Sequence, residues 1–228
     1  DNQYGYGWGT SFASPIVAGC AGIAKAYFPS YSMLQIGALL KTTTDIIDTI
    51  SVNQSFANKL GTGRINIFNA LSQNPKPLVT KKLSKIETDN AYYIPESNIE
   101  LSFSFMNYLS MVSNTTLFLT DNSGFVEYIS NEFLIDTLAS LETIDMENPF
   151  HFRVTEEMPF NKRVEFNLNT NSNVIIDNPN YSFVFNRTYF DIITPSLSTT
   201  VTSNGRFGYQ DYNEKIGEGF VYNKMNNF

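Results

Sequence analysis

Gly9-Thr10-Ser11-Phe12-Ala13-Ser14-Pro15-Ile16-Val17-Ala18-Gly19 opens a run of small and apolar residues that continues to Phe28. A run that is apolar on every face reads as a helix, residues 11–28, covered on all sides. At its start Ser11 has unpaired backbone N–H groups and the positive end of the helix dipole near its hydroxyl. That environment favours a developing oxyanion, so Ser11 is a candidate nucleophile and its own N–H a candidate oxyanion donor. Thr10 is placed to support the same hole through its hydroxyl. Gly9 lets a substrate backbone approach closely. Pro15 lacks an N–H, which suits a helix start, and is read as fixing where the helix begins. Gly19, Ala21 and Gly22 keep the helix surface flat, and Cys20 reads as packing rather than chemistry. The plain alternative for Ser11 is a serine that only caps a helix.

Outward from this stretch, residues 32–41 read as a second helix. Ser32 is its cap, and Leu34, Ile36, Leu39 and Leu40 are its apolar positions. The Gly61-Thr62-Gly63 turn leads to a short third helix, residues 65–71, stopped by Asn74 and two prolines. Helices, glycine clusters and short connections suit the edge of an α/β domain. After Pro75 and Pro77 the apolar period changes from helical to alternating. Leu101/Phe103/Phe105, Phe150/Phe152/Val154, Val164/Phe166/Leu168 and Tyr181/Phe183/Phe185 each alternate with polar residues. Several short strands with one apolar face indicate a β-sandwich. Near Pro195 the pattern changes again, and Asn204-Gly205 sits between Thr/Val-rich and Phe/Tyr-rich residues as a hairpin turn. The organisation expected is therefore an α/β segment (1–74), an all-β Ig-like sandwich (75–191) and the start of a further β module (192–228).

Composition narrows the function classes. The chain has 228 residues and a net charge of −7, with its 15 Lys and Arg scattered, which argues against a nucleic-acid partner. No apolar run reaches the roughly 18–20 residues of a membrane span. One cysteine, Cys20, excludes a disulfide framework or a cysteine metal cluster, and neither metal nor cofactor is expected. The three Asn-x-Ser/Thr triplets, at Asn53, Asn114 and Asn186, are read as chance in a chain with 26 asparagines. The one histidine, His151, alternates with Phe150 and Phe152 and is read as a surface residue.

Residues 9–19 resemble the serine motif of the subtilisin family. With each residue type used about once in fifteen, the fixed Gly, Thr, Ser, Ala and Pro would coincide by chance in about one in several thousand chains of this length. Leu39-Leu40-Lys41-Thr42-Thr43 with Asp45, then Leu60-Gly61-Thr62-Gly63-Arg64-Ile65-Asn66, resemble the family's closing helices in order and spacing. Phe12 stands where the family often has methionine. The resemblance implies a serine endopeptidase that forms an acyl-enzyme at Ser11, with oxyanion support from Thr10 and Ser11. It implies a chain order of Asp, His, Ser, which puts the triad partners and the side-chain oxyanion donor before Asp1. The expected partners are a peptide or protein substrate and the missing N-terminal peptidase segment. Residues 148–168 and 198–209 resemble, more weakly, the β domains that follow the peptidase in large secreted bacterial subtilases, which implies a secreted or cell-surface setting. Two rivals stand beside this. One is an α/β-hydrolase order with His151 as base, disfavoured because Tyr4–Trp8 is no apolar strand and Ala13 replaces the second glycine of Gly-x-Ser-x-Gly. The other is a secreted β-sandwich binding or structural module with an inert peptidase remnant.

Overall fold

The computed structural model describes residues 5–56, 59–90, 92–213 and 215–222. Three helices come first: α1 (Thr10–Tyr27), α2 (Met33–Thr42) and α3 (Ile67–Ser72), with a 3₁₀ turn at Ser51–Phe56 between the last two. Helix α2 starts where its cap dictates. Ser32 Oγ accepts the Gln35 N–H at 3.2 Å and Gln35 Oε1 accepts the Ser32 N–H at 2.9 Å, a reciprocal capping box. Helix α3 starts two residues later than the sequence suggests, because Asn66 stays extended and its side chain accepts the Asn69 N–H. Pro15 does not mark the start of α1 but lies inside it. Its missing N–H leaves the Ser11 carbonyl without the usual helical donor, and the turn before it is held instead by the Phe12 and Ala13 N–H groups on the Gly9 carbonyl.

The helices share a small core of Ala24, Ile36, Ala38, Leu39, Leu40 and Ala70, and two residues of the β part, Leu78 and Leu109, close it. Cys20 packs against this cluster as a half-buried free thiol. Leu34, expected on the buried side of α2, is exposed. The same is true of most of α1: Phe12, Ile16, Val17, Ile23 and Tyr27 all face outward, Ile16 at 60% exposure. Lys41 Nζ meets Asp177 Oδ2 at 2.7 Å and Gln35 reaches Ser140, so the helices sit against one end of the β part.

The β part contains β1 (Leu78–Thr88), β2 (Asn98–Asn107), β3 (Val112–Asp121), β4 (Val126–Ser130), β5 (Glu132–Leu138), β6 (Thr143–Asp145), β7 (Phe150–Val154), β8 (Lys162–Thr170), β9 (Ile175–Asp177) and β10 (Asn180–Phe185). One sheet runs β4-β7-β2-β1-β9, with β6 also on β2; a second runs β10-β8-β3-β5. Their inner faces form one core. Ile99, Leu101, Phe103 and Phe105 of β2 and Phe150, Phe152 and Val154 of β7 meet Val164, Phe166 and Leu168 of β8, as the alternation predicts. Phe152 and Phe166 touch across the sheets with ring centroids 5.2 Å apart.

A third sheet follows, made of β11 (Tyr189–Ile193), β12 (Leu197–Thr202), β13 (Phe207–Gly208) and β14 (Phe220–Tyr222). The Asn204-Gly205 turn joins β12 to β13: Gly205 has φ of 72° and donates to the Thr202 carbonyl. The hairpin is not alone, since β11 and β14 both pair with β12. Asn186 is nearly buried and its side-chain amide donates to the Met158 carbonyl at 2.9 Å, which leaves no room for a glycan there.

Candidate active site

Ser11 is the second residue of α1 and is exposed; Thr10, the first, is exposed too. The helix begins on Gly9, whose φ of 119° belongs to glycine. No side chain caps this end. The N–H groups of Thr10 and Ser11 therefore have no acceptor within the helix, while those of Phe12 and Ala13 turn back to Gly9 O at 3.1 and 3.3 Å. An uncapped helix start with an exposed hydroxyl in its first turn is an anion-favouring position. The chain reaches it through residues 5–8, which form no strand, in line with the objection to the α/β-hydrolase order. Tyr4, the first residue named in that objection, lies outside the described residues, as do Asp1–Gln3. Phe12 folds back over this segment. A Cβ on Gly7 would fall 2.5 Å from Phe12 Cζ, so a larger residue there would push the exposed Phe12 ring aside.

His151 lies on β7, half-buried on the face opposite Phe150 and Phe152, between Glu100 of β2 and Ser130 of β4. Among the described residues no hydrogen bond joins it to Ser11. Among them, too, no cluster of His, Cys, Asp and Glu could hold a metal ion.

A polar clasp ties the segment after α2 to the one before α3. Asp45 and Arg64 form an isolated antiparallel bridge, each N–H donating to the other's carbonyl at 2.9 Å. Arg64 Nη2 reaches Asp45 Oδ2 at 2.8 Å and Asn66 Nδ2 reaches Oδ1 at 2.8 Å. These hydrogen bonds, Arg64's first and then Asn66's, hold the Asp45 carboxyl below its ordinary range. A depressed folded value means the clasp's contribution is present above the unfolded carboxylate range and lost as pH falls through the folded value. The bridge leaves no space at Gly63, where φ is 129° and a Cβ would lie 2.2 Å from the Asp45 carbonyl oxygen. Gly63→Ala is expected to open the clasp, because backbone must move in addition to the ~1–3 kcal/mol of a strained φ/ψ. Amide exchange at Asp45 and Arg64 should accelerate at least tenfold, and unchanged exchange would refute the requirement. Beside the clasp, Ala13, Ile16 and Val17 of α1 and Gly37 and Leu40 of α2 border an apolar groove of 570 Å³.

The sequence profile of the Subtilase family matches residues 1–74, the span that contains Ser11, the three helices and the clasp. Over that span the chain is similar to a subtilase. Two extracellular serine proteases of Serratia marcescens are similar to the chain, one 35% identical over 100 residues and the other 33% over 101. In each case the match takes in 44% of this chain and 9% of the relative, so the chain spans about a tenth of the length of these relatives. At family level this is serine-protease homology, and proteins of this name act on proteins outside the cell. A solved structure of Spo0M, a sporulation control protein from Bacillus subtilis, covers 64% of this chain and 88% of its own at 11% identity and a TM-score of 0.24, too low to bear on the fold. Among the described residues no helix is long and apolar enough to cross a membrane.

Proposed function

We propose that Ser11 is the nucleophile of a subtilisin-like serine endopeptidase. The observation that carries this is the placement of the motif serine in the first turn of an uncapped helix whose start is fixed by a glycine at φ 119°. In the proposed step Ser11 Oγ attacks the substrate carbonyl carbon and gives its proton to a histidine. The carbonyl oxygen becomes an oxyanion that accepts from the Ser11 N–H, with the Thr10 hydroxyl supporting the hole. The amine then leaves, taking that proton, and water hydrolyses the acyl-enzyme. His151 is not that histidine; in the family order the base, its aspartate and the side-chain oxyanion donor precede Asp1. The substrates are peptides or proteins, and the setting is extracellular, as the relatives' names suggest.

We also read residues 75–191 as an Ig-like sandwich. Taking β1, β2, β7 and β4 as strands A, B, E and D, and β3, β8 and β10 as C, F and G, gives the two-sheet order of that fold around one shared core. The short β5 adds beside strand C.

The chain of residues 1–228 alone is expected to turn over no peptide substrate, and to gain turnover only when refolded with the preceding peptidase segment, because triad members act as a unit. Turnover by residues 1–228 alone that Ser11→Ala abolished would place the base within this chain. Failure of the refolded whole would favour the inert-remnant reading.

A further inference from the structure

We propose that the free edge of β5 is a docking site for an extended cationic peptide, which adds to the second sheet as one more strand. β5 pairs with β3 along its length and, among the described residues, with no strand on its other side. Open edges are normally blunted by charged side chains, lysine above all, by proline, by bulges or by brevity. This one spans Glu132–Leu138 and carries neither lysine nor proline. A cleft of 500 Å³ runs beside it, lined by residues 132–136 in succession. Consecutive residues point to opposite faces, so a cleft touching all five runs along the edge of the strand and not over one face. Across the cleft stand Ile144 and Asp145 of β6, then Glu147.

The chemistry of the cleft selects the occupant. Its inner side is apolar: Phe133, Ile135 and Ile144 all belong to or pack on the core. Its outer side is mainly acidic, with Glu132, Asp136, Asp145 and Glu147 around the exposed Leu134, and neither Lys nor Arg among the residues that line it. Asp145 also accepts from Ser104 Oγ. A strand added at the usual ~4.8 Å spacing would alternate in the same way as β5. Its inward residues would cover the part-exposed Phe133 and extend the core past the buried Ile135, and its outward ones would lie beside Glu132, Leu134 and Asp136. Opposite charges across a strand pair stabilise it and like charges destabilise it. The matching ligand is thus an extended segment in which apolar and basic residues alternate, bound by its main chain and sorted by charge. A second copy of this chain is the poorer match: two β5 edges paired antiparallel about Leu134 would set Glu132 against Asp136 twice over, and any register would bring two acidic edges together.

The test uses residues 1–228 and three labelled octapeptides: alternating Lys-Val, alternating Lys-Pro and alternating Glu-Val. Fluorescence anisotropy should show saturable Lys-Val binding, at least tenfold weaker binding of Lys-Pro, and none of Glu-Val. Lys-Pro has the same charge but lacks half the N–H donors of a strand, so it separates strand addition from plain attraction. Amide exchange at residues 132–137 should slow when Lys-Val is present. Glu132→Lys with Asp136→Lys, both exposed, should weaken Lys-Val binding at least tenfold. Equal binding of Lys-Val and Lys-Pro, no Lys-Val binding, or self-association through β5 would overturn the proposal. Its outcome is independent of any role for Ser11.

Discussion

On the proposed function, Ser11→Ala in the whole protein is expected to lower peptidase kcat by about 10⁶-fold with KM nearly unchanged, the scale of loss when the serine of a subtilisin triad is removed. The reason lies in what the side chain does and does not do. Ser11 Oγ is not the helix cap: Gly9 holds that position and no side chain caps this end of α1. Ser11 is also exposed, so its hydroxyl fills no packed space. Alanine is at least as good a helix former in the first turn. The thermal midpoint should therefore stay within a degree or two while activity falls, a separation that a structural serine would not give. The Ser11 N–H survives the substitution, so the oxyanion hole remains and the residual rate should exceed the uncatalysed one by roughly 10³–10⁴. Retention of more than a few per cent of kcat would remove Ser11 from the nucleophile role.

The motif and the helices were legible because their signals are local. The Ser32/Gln35 box lies within one turn, and the alternation in β2, β7 and β8 is a property of each strand alone. Strand β1 was not legible. Thr80-Lys81-Lys82-Leu83-Ser84-Lys85 has no continuous apolar face, and its place in the sheet is set by pairing with β2 and by partners far along the chain. Lys81 is half-desolvated, which lowers its pKa, and its ammonium is received by the Asn178 and Asn180 carbonyls. The chain also changes sheets at Asn131: β4 pairs in the first sheet and β5, one residue on, in the second. Nothing in residues 126–138 announces that. At the candidate site the reverse holds. The serine and its turn were legible from the motif, whereas the clasp was not, because Asp45 and Arg64 meet across 19 residues. Leu34 failed for a simpler reason: periodicity says which residues share a face, and not whether anything covers it.

Amide exchange on residues 1–228 should divide the molecule, with β2, β3, β7 and β8 protected at the level of global unfolding and residues 16–27 at least about a thousandfold less protected. The two cores differ enough to decide this. The β part buries six large side chains to under 2% exposure in Phe103, Phe105, Phe150, Phe152, Phe166 and Phe185, all from its own strands. The helical layer buries mainly alanine and leucine, and borrows Leu78 and Leu109 from the β part to do so. Within it the order should be graded. α2 presents Ile36, Leu39 and Leu40 inward, has a capping box and is tied to Asp177, so it should exchange at an intermediate rate. α1 buries only Ala24, has no side-chain cap and carries Pro15 in its interior, so it should open first. Its exposed Phe12, Ile16, Val17 and Ile23 form an apolar face that gains from any cover. Concentrated solutions should therefore slow exchange in α1 before they affect β2 or β8. Uniform, global-level protection in dilute solution would mean that the small helical core is enough by itself, and that α1 needs no further partner to be stable.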